Sequence, residues 1–178
     1  MLLAVMLRLL QRHYEIPFEA VYLVMDPGYS PENRRQVEAN CRSLGIDFIL
    51  VESDVFEASE AESDHPCFLC ARMRRGCLYR HARDIVCNNI ALGHHFDDVV
   101  ENALMAMLYG GQIQAMPPML PAKHFPGMRL IRPLYRVRER DIIAWRDDWG
   151  EFRMAAPFQK RVIASNWLLI DKRRNKPD

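Results

Sequence analysis

Hydrophobic positions along the chain alternate between helical and strand periods. Leu2, Leu3, Met6, Leu9 and Leu10 recur at helical spacing and predict an amphipathic helix over residues 1–14. Ala20 to Val24 is a short apolar run that predicts a buried strand, ended by the turn residues Asp26-Pro27-Gly28. Ser30 before Pro31 opens a helix and Gly45 closes it. Ile46 to Val51 predicts a second strand, followed by an acidic loop carrying Glu52, Asp54, Glu57, Glu60, Glu62 and Asp64. Residues 67–86 predict a long helix with Leu78, Ala82, Ile85 and Val86 as its apolar stripe. Asn89 to Leu92 predicts a third strand running into Gly93-His94-His95. Asp97 then caps a helix whose Val100, Ala103, Leu104, Met107 and Leu108 are expected to face inward, and Gly110-Gly111 ends it. A Pro-rich loop runs to about Pro126, Met128 to Ile131 predicts a fourth strand, and residues 137–148 a last clear helix. Beyond Gly150 the periodicity fades.

Strands alternating with helices imply an α/β fold, a parallel sheet covered on both faces. Such sheets bind ligands at the carboxyl ends of their strands, where the motifs of this chain gather. A length of 178 residues suits one domain of this kind. With Lys plus Arg at 24 and Asp plus Glu at 23, the net charge is +1, so a nucleic-acid partner must be argued from local patches. No apolar run reaches the roughly 18 residues of a membrane span. The opening MLLAVMLRLL lacks a basic leader and is interrupted by Arg8, so it reads as a helix and not an export signal. A cytoplasmic location without a membrane follows, with the five cysteines reduced or bound to metal.

Three stretches carry candidate chemistry. Cys67-Phe68-Leu69-Cys70 is a CxxC, whose thiolates at that spacing chelate a metal or cluster or form a redox disulfide. In a continuous helix Cys77 lies seven residues beyond Cys70, about 10 Å along the axis, too far to share one metal. Cys41 and Cys87 read as small buried side chains, and His65 is a weak further ligand. Arg72, Arg74, Arg75, Arg80 and Arg83 follow with no acid before Asp84, either a solvated helix face or a contact for RNA phosphates. Gly93-His94-His95-Phe96-Asp97-Asp98 joins a strand to a helix. There Gly93 allows close approach of a nucleotide, and the acids either favour the helix dipole or hold Mg2+ on a nucleotide. Arg132-Pro133-Leu134 follows the last strand, placing Arg132 to meet phosphate or pair with those acids.

With those residues in place, the chain resembles the PP-loop ATPases that thiolate tRNA, the TtcA-type 2-thiocytidine synthetases. The resemblance runs from about Val21 to Gly150 through MDPGY (25–29), ESDVF (52–56), CFLCARMRRGCLYRHA (67–82), NNIALGHHFDDVVEN (88–102), MLYGGQ (107–112) and RLIRPLYRVRERDI (129–142). The CxxC with R-x-R-R-G and then GHHxDD is the specific combination; GHHxDD alone fits other PP-loop enzymes, tRNA lysidine synthetase among them. The resemblance implies a Rossmann-like adenine nucleotide α-hydrolase fold over residues 1–150 and a divergent tail at 151–178. It implies that ATP activates C2 of an anticodon-loop cytidine as an adenylate, whose oxygen sulfur then displaces. A [4Fe-4S] cluster presents the sulfur, with Cys67 and Cys70 as its first two ligands. Asp97 and Asp98 match the catalytic carboxylates, Gly93 and His94 the nucleotide motif, Arg132 a phosphate contact, and Met25 the strand end whose backbone meets adenine. Arg72, Arg74, Arg75 and Arg80 become the tRNA contact, with a sulfur donor such as a cysteine desulfurase and a second copy in a homodimer as partners.

The chain departs from that pattern twice. The family's S-G-G-x-D-S loop would fall immediately before Met1, with the family's first, central strand before it, and GEFRMAAPFQKR at 150–161 lacks the family's further Cys pair. The expectation is a domain incomplete at its N-terminus and inactive alone, with the edges of two strands left unpaired. The alternatives are a non-catalytic relative that binds RNA or a protein partner, and a structural zinc-binding α/β protein.

Overall fold

A computed structural model describes residues 2–13, 18–26, 31–52, 66–149 and 168–172. Helix α1 (Leu2–His13) leads into β1 (Glu19–Asp26), α2 (Pro31–Ser43) and β2 (Phe48–Glu52). Then come α3 (Pro66–Asp84), β3 (Asn89–Ala91), α4 (Phe96–Gly110), β4 (Met119–Pro121), β5 (Arg129–Ile131), α5 (Glu139–Trp149) and β6 (Leu168–Lys172). The expected helix start at Ser30, the acidic loop after Glu52 and His65 lie outside the described residues, as does most of the tail beyond Trp149.

The sheet order is β2-β1-β6-β3-β5-β4. β1 pairs β2 in parallel and β3 pairs β5 in parallel. β6 runs antiparallel to both β1 and β3, so those two run the same way and four strands share one carboxyl edge. This is the expected α/β fold, with antiparallel strands at the centre and at one edge. Tyr22 and Leu23 are neighbours on β1 and point to opposite faces. Leu23 joins Val51, Leu78, Ala82, Cys87, Ile90 and Leu130 under α3. Tyr22 joins Leu3, Ala4, Ile46, Ala91 and Leu134, with Ile142 of α5 against them. The apolar residues of α1 and α3 thus cover one face each, as their helical spacing predicts. Gly45 ends α2 at a φ of +58°, which a residue without Cβ adopts freely, and Ile46 N donates to Cys41 O at 3.0 Å.

Four expectations are corrected. Val86 does not continue the α3 stripe; it is exposed, at a φ of +58° past the helix end. Val100, Leu104, Met107 and Leu108 do not face inward, and α4 buries none of its residues. The Pro-rich loop contains a strand, β4, that pairs antiparallel with β5. The facing edges of β1 and β3 are not left open. β6, from the stretch without periodicity, fills the space between them, with Ile170 opposite both Val21 and Ile90.

A strand at that position has backbone partners on both sides, and proline supplies no N–H to either. Ile170→Pro should destabilise the chain by on the order of 3 kcal/mol, read as a lower urea midpoint. An unchanged midpoint would show that the tail lies outside the sheet.

Candidate nucleotide-binding site

β3 and β5 are neighbours in register, with Ala91 opposite Ile131, and Leu92 N donates to Ile131 O at 2.9 Å. The residues leaving their carboxyl ends therefore emerge side by side: Gly93-His94-His95 from β3 and Arg132 from β5. Gly93 is exposed, its φ is not positive, and a Cβ placed on it meets no atom of the described residues within 4 Å. Neither backbone conformation nor packing among the described residues demands glycine there. What it leaves is open space at the strand end.

Two nitrogen-bearing side chains, Arg132 and His94, flank that space. Arg132 is 8% exposed; its Nη1 donates to Pro117 O, and its backbone N donates to Pro118 O at 2.8 Å. Its buried Nε and the buried Nδ1 of His94 find no hydrogen-bond partner among the described residues. Buried polar groups are almost always satisfied, so two orphans at one strand edge mark a place for an acceptor. Burial and the nearby Arg132 hold the His94 imidazole below its ordinary range, with Arg75 adding to that and Asp98 opposing it. Burial and Arg75 likewise lower Arg132. Burial pushes Tyr79 upward while Arg75 and Arg132 pull it back, and its ring stacks on Phe125 at 4.9 Å. Arg75, expected in the RNA contact, therefore acts electrostatically on this strand edge. Arg80, five residues on and about 140° around the helix, is exposed elsewhere on α3.

Asp97 and Asp98 are fixed by helix starts. His95, not Asp97, is the N-cap of α4, with a φ of −113°. Its backbone N donates to Asp98 Oδ2 at 2.8 Å, the returning half of a capping box. Asp97 Oδ2 accepts from Glu139 N at 2.7 Å and so caps α5 instead. Phe96 N donates to Val137 O at 2.8 Å, and Arg138 sits 5.7 Å over the Phe96 ring. His95 Nε2 lies 3.5 Å from Asp98 Oδ2, while its Nδ1, 3.8 Å from Asp97 Oδ2, is a third buried orphan. The GHHFDD segment is thereby locked to the segment after β5, and each acid commits one oxygen to a backbone N–H.

At the same edge of the sheet Met25 ends β1 opposite Val51, and its side chain lies outside the described residues. Beside it Asp26, read from sequence as a turn residue, is 5% exposed and pairs with Arg34 of α2 at 3.7 Å. Its signal was present: an acid directly after a buried apolar run. Cys67 and Cys70 fall in the first turns of α3; their side chains, with those of Arg72 and Arg74, lie outside the described residues. α3 is continuous from Pro66 to Asp84, which keeps Cys77 about two turns from the CxxC. Cys77 is buried with its Sγ 3.7 Å from His81 Nδ1. Cys41 and Cys87 are buried as expected, and burial pushes the Cys41 thiol up to about 11. No group of three or more His, Cys, Asp or Glu side chains among the described residues is placed to hold a metal.

A family model described as a PP-loop domain matches residues 1–150, the span that contributes every strand of the sheet except β6. The chain belongs to the PP-loop domain family. Relatives named tRNA-cytidine(32) 2-sulfurtransferase are 38% identical over 145 residues in Neisseria meningitidis, 39% over 147 in Vibrio cholerae and 38% over 155 in Tolumonas auensis. These matches cover 78, 79 and 82% of this chain but 44, 46 and 49% of the relatives, so the chain spans about half their length. Among solved structures it is similar to the U34-tRNA thiolase NcsA from Methanococcus maripaludis with its [4Fe-4S] cluster. The TM-score is 0.64 at 20% identity, over 90% of this chain and 57% of that one, and the likeness is one of fold.

His94 gives this PP-loop domain a pH signature. Because its folded-state pKa lies below the ordinary 6.5, the unfolded chain binds the proton first as pH falls, so stability present above 6.5 is lost as pH drops through the folded value. His94→Gln should flatten the fall in urea midpoint between neutral and mildly acidic pH. An equally steep fall in the variant would assign the dependence to another group.

Proposed function

We propose that the chain is the nucleotide-binding part of an ATP-dependent tRNA 2-thiocytidine synthetase that works in the cytoplasm. The observation that supports this most is the pair of buried nitrogens, Arg132 Nε and His94 Nδ1, that have no hydrogen-bond partner among the described residues and flank the open space at Gly93. That arrangement suits a phosphate: a buried guanidinium is always charged, and no carboxylate of the described residues forms an ion pair with it. Arg132 and His94 would hold ATP phosphate oxygens, Gly93 would let the nucleotide approach the backbone, and the β1 end at Met25 would meet adenine. His94, kept neutral, would act as a hydrogen-bond donor or acceptor and not as a second fixed charge. Asp97 and Asp98 are the catalytic carboxylates in this reading, and any Mg2+ would be held by their remaining oxygens together with the nucleotide's phosphates.

Cys67 and Cys70, three residues apart in a helix, would supply two thiolates to a [4Fe-4S] cluster, whose chemistry is to carry the sulfur on an iron not bound by protein. Arg72, Arg74 and Arg80 would place tRNA phosphates along α3. A sulfur donor such as a cysteine desulfurase completes the reaction, because ATP activates the base oxygen but brings no sulfur. The described residues build one side of a phosphate site, so ATP binding by this chain alone is expected to be weak and the chain inactive by itself.

Gly93→Val tests the nucleotide position. The unfolding temperature should stay nearly unchanged, since a Cβ at this position meets no atom of the described residues within 4 Å, while ATP–Mg2+ binding followed by calorimetry should weaken by about tenfold or more. Unaltered binding would place the nucleotide elsewhere. The cluster is tested by anaerobic reconstitution with iron and sulfide. Iron and acid-labile sulfide should be retained by Cys77→Ala and lost from Cys67→Ala and Cys70→Ala. Bound zinc without sulfide, or a cluster that survives Cys67→Ala, would overturn the thiolation reading.

A further inference from the structure

Phe96 is a large aromatic residue outside both cores. It stands between His95 and Asp97 at the first turn of α4, is 38% exposed, and packs into neither hydrophobic cluster. Its backbone is fixed, because its N–H bonds the Val137 carbonyl at 2.8 Å. The guanidinium carbon of Arg138 lies 5.7 Å from its ring centroid, a cation–π contact. Two turns in the connection from β5 to α5 bring that arginine there: Tyr135 N donates to Arg132 O at 3.1 Å and Val137 N to Leu134 O at 2.9 Å. Arg136 and Arg138, on either side of Val137, are exposed and form no ion pair among the described residues, whereas Arg140 pairs with Asp141 at 3.6 Å. From Asn102 to Arg138 the sequence contains no Asp or Glu, while Lys123, Arg129, Arg132, Arg136 and Arg138 are basic.

We propose that Phe96 and Arg138 form a stacking platform for an unpaired base of RNA, with Arg136 holding a phosphate of the same strand. The chemistry of the three side chains selects the occupant. Unpaired RNA bases stack on aromatic rings and on guanidinium planes, and the phosphate beside each base takes an arginine. An acidic peptide would satisfy the arginines but has no use for the ring. A duplex keeps the faces of its bases covered, so the platform suits a loop or a single strand. The sheet order separates this base from the adenine of ATP. In β1-β6-β3-β5 the β1 end proposed for adenine and the β5 connection that carries Arg136 lie three strand spacings apart, about 14 Å. Phe96 is three residues beyond Gly93, hence within about 10 Å of it. A base on the platform therefore lies next to the space assigned to the ATP phosphates and on the far side from adenine. That the strand is tRNA rests on the thiolation reading; the platform rests on the ring, the guanidinium and the unpaired charge.

Fluorescence anisotropy of the whole 178-residue chain with a labelled oligocytidine RNA and with a blunt RNA duplex, at low salt, tests it. The wild type should bind the single strand more tightly than the duplex. Phe96→Leu, which keeps an apolar side chain and removes the π-face, should weaken oligocytidine binding about tenfold and leave duplex and ATP–Mg2+ binding as they were. Phe96→Tyr should bind like the wild type. Arg138→Gln, a change at an exposed position, should cost about threefold on the single strand. Arg136→Gln should weaken both RNAs and lower the slope of log affinity against log salt by about 0.7 on the single strand. Oligocytidine affinity unchanged in Phe96→Leu and Arg138→Gln would overturn the platform while leaving the tRNA reading in place. So would a Phe96→Tyr variant as weak as Phe96→Leu, an equal loss on the duplex, or a loss of ATP–Mg2+ binding in place of RNA. A wild type that binds neither RNA would overturn the platform and the tRNA reading together.

Discussion

The facing edges of β1 and β3 need a shared partner, and the rest of the molecule depends on how that need is met. β2-β1 forms one half of the sheet and β3-β5-β4 the other, and the two halves join through the backbone of β6. An unpaired strand edge is a row of exposed N–H and C=O groups whose burial without partners is costly. β6 meets the need on both sides with one five-residue segment, pairing Ala20 to Asp171 and Asn89 to Asp171 in the same register. The spacing between the β1 end at Asp26 and the β3 end at Gly93 is therefore set by a strand that lies outside the matched family span.

The carboxyl edge shows how a fold holds unsatisfied groups in place. Asp97 and Asp98 are usually read for their charge, yet here each spends an oxygen on a helix start. Those bonds fix the loop between Gly93 and Phe96, and the fixed loop holds His94 beside Arg132. The buried Arg132 is carried by carbonyls of the Pro117-Pro118 segment, so its guanidinium is anchored from behind while Nε has no hydrogen-bond partner among the described residues. A desolvated guanidinium without a counter-charge is unfavourable in isolation, a cost that an anionic ligand would relieve. Preorganisation of this kind places the expense in folding and leaves binding less to reorganise.

Much of this was legible in the sequence, for local reasons. The periods of α1 and α3, the end signals of α2 and the short apolar runs of β1, β2 and β3 are properties of contiguous residues, and Gly45 and Gly111 mark helix ends because a positive φ favours glycine. The site motif was legible because its members follow strands. Three things were not. The apolar stripe of α4 was read as facing inward because a single chain is assumed to bury its own apolar residues, whereas the inner side of that helix carries Val99, Ala103 and Ala106, too small and few to dominate the pattern. β4 hides among Pro117, Pro118 and Pro121, which suit an edge strand and argue against any other. β6 is a short apolar run whose place depends on pairing with residues nearly 150 and 80 positions away. No window along the chain records such pairing.

The two unusual surfaces of the molecule share one helix. α4 begins at the carboxyl edge, where His95 and Asp98 close its first turn, and ends at Gly111, whose φ of +58° terminates it after 15 residues. At 1.5 Å per residue that is about 22 Å of rigid backbone. Its first turn is bonded to the start of α5 through Asp97 and Phe96. Its outer turns carry the uncharged face from Leu104 to Tyr109. Its inner side is only partly covered, at Val99, Ala103 and Ala106. The place of the loop that carries His94 is thus set at the first turn of the helix, where Asp98 bonds the His95 N–H, Asp97 bonds the Glu139 N–H and Phe96 bonds the Val137 carbonyl.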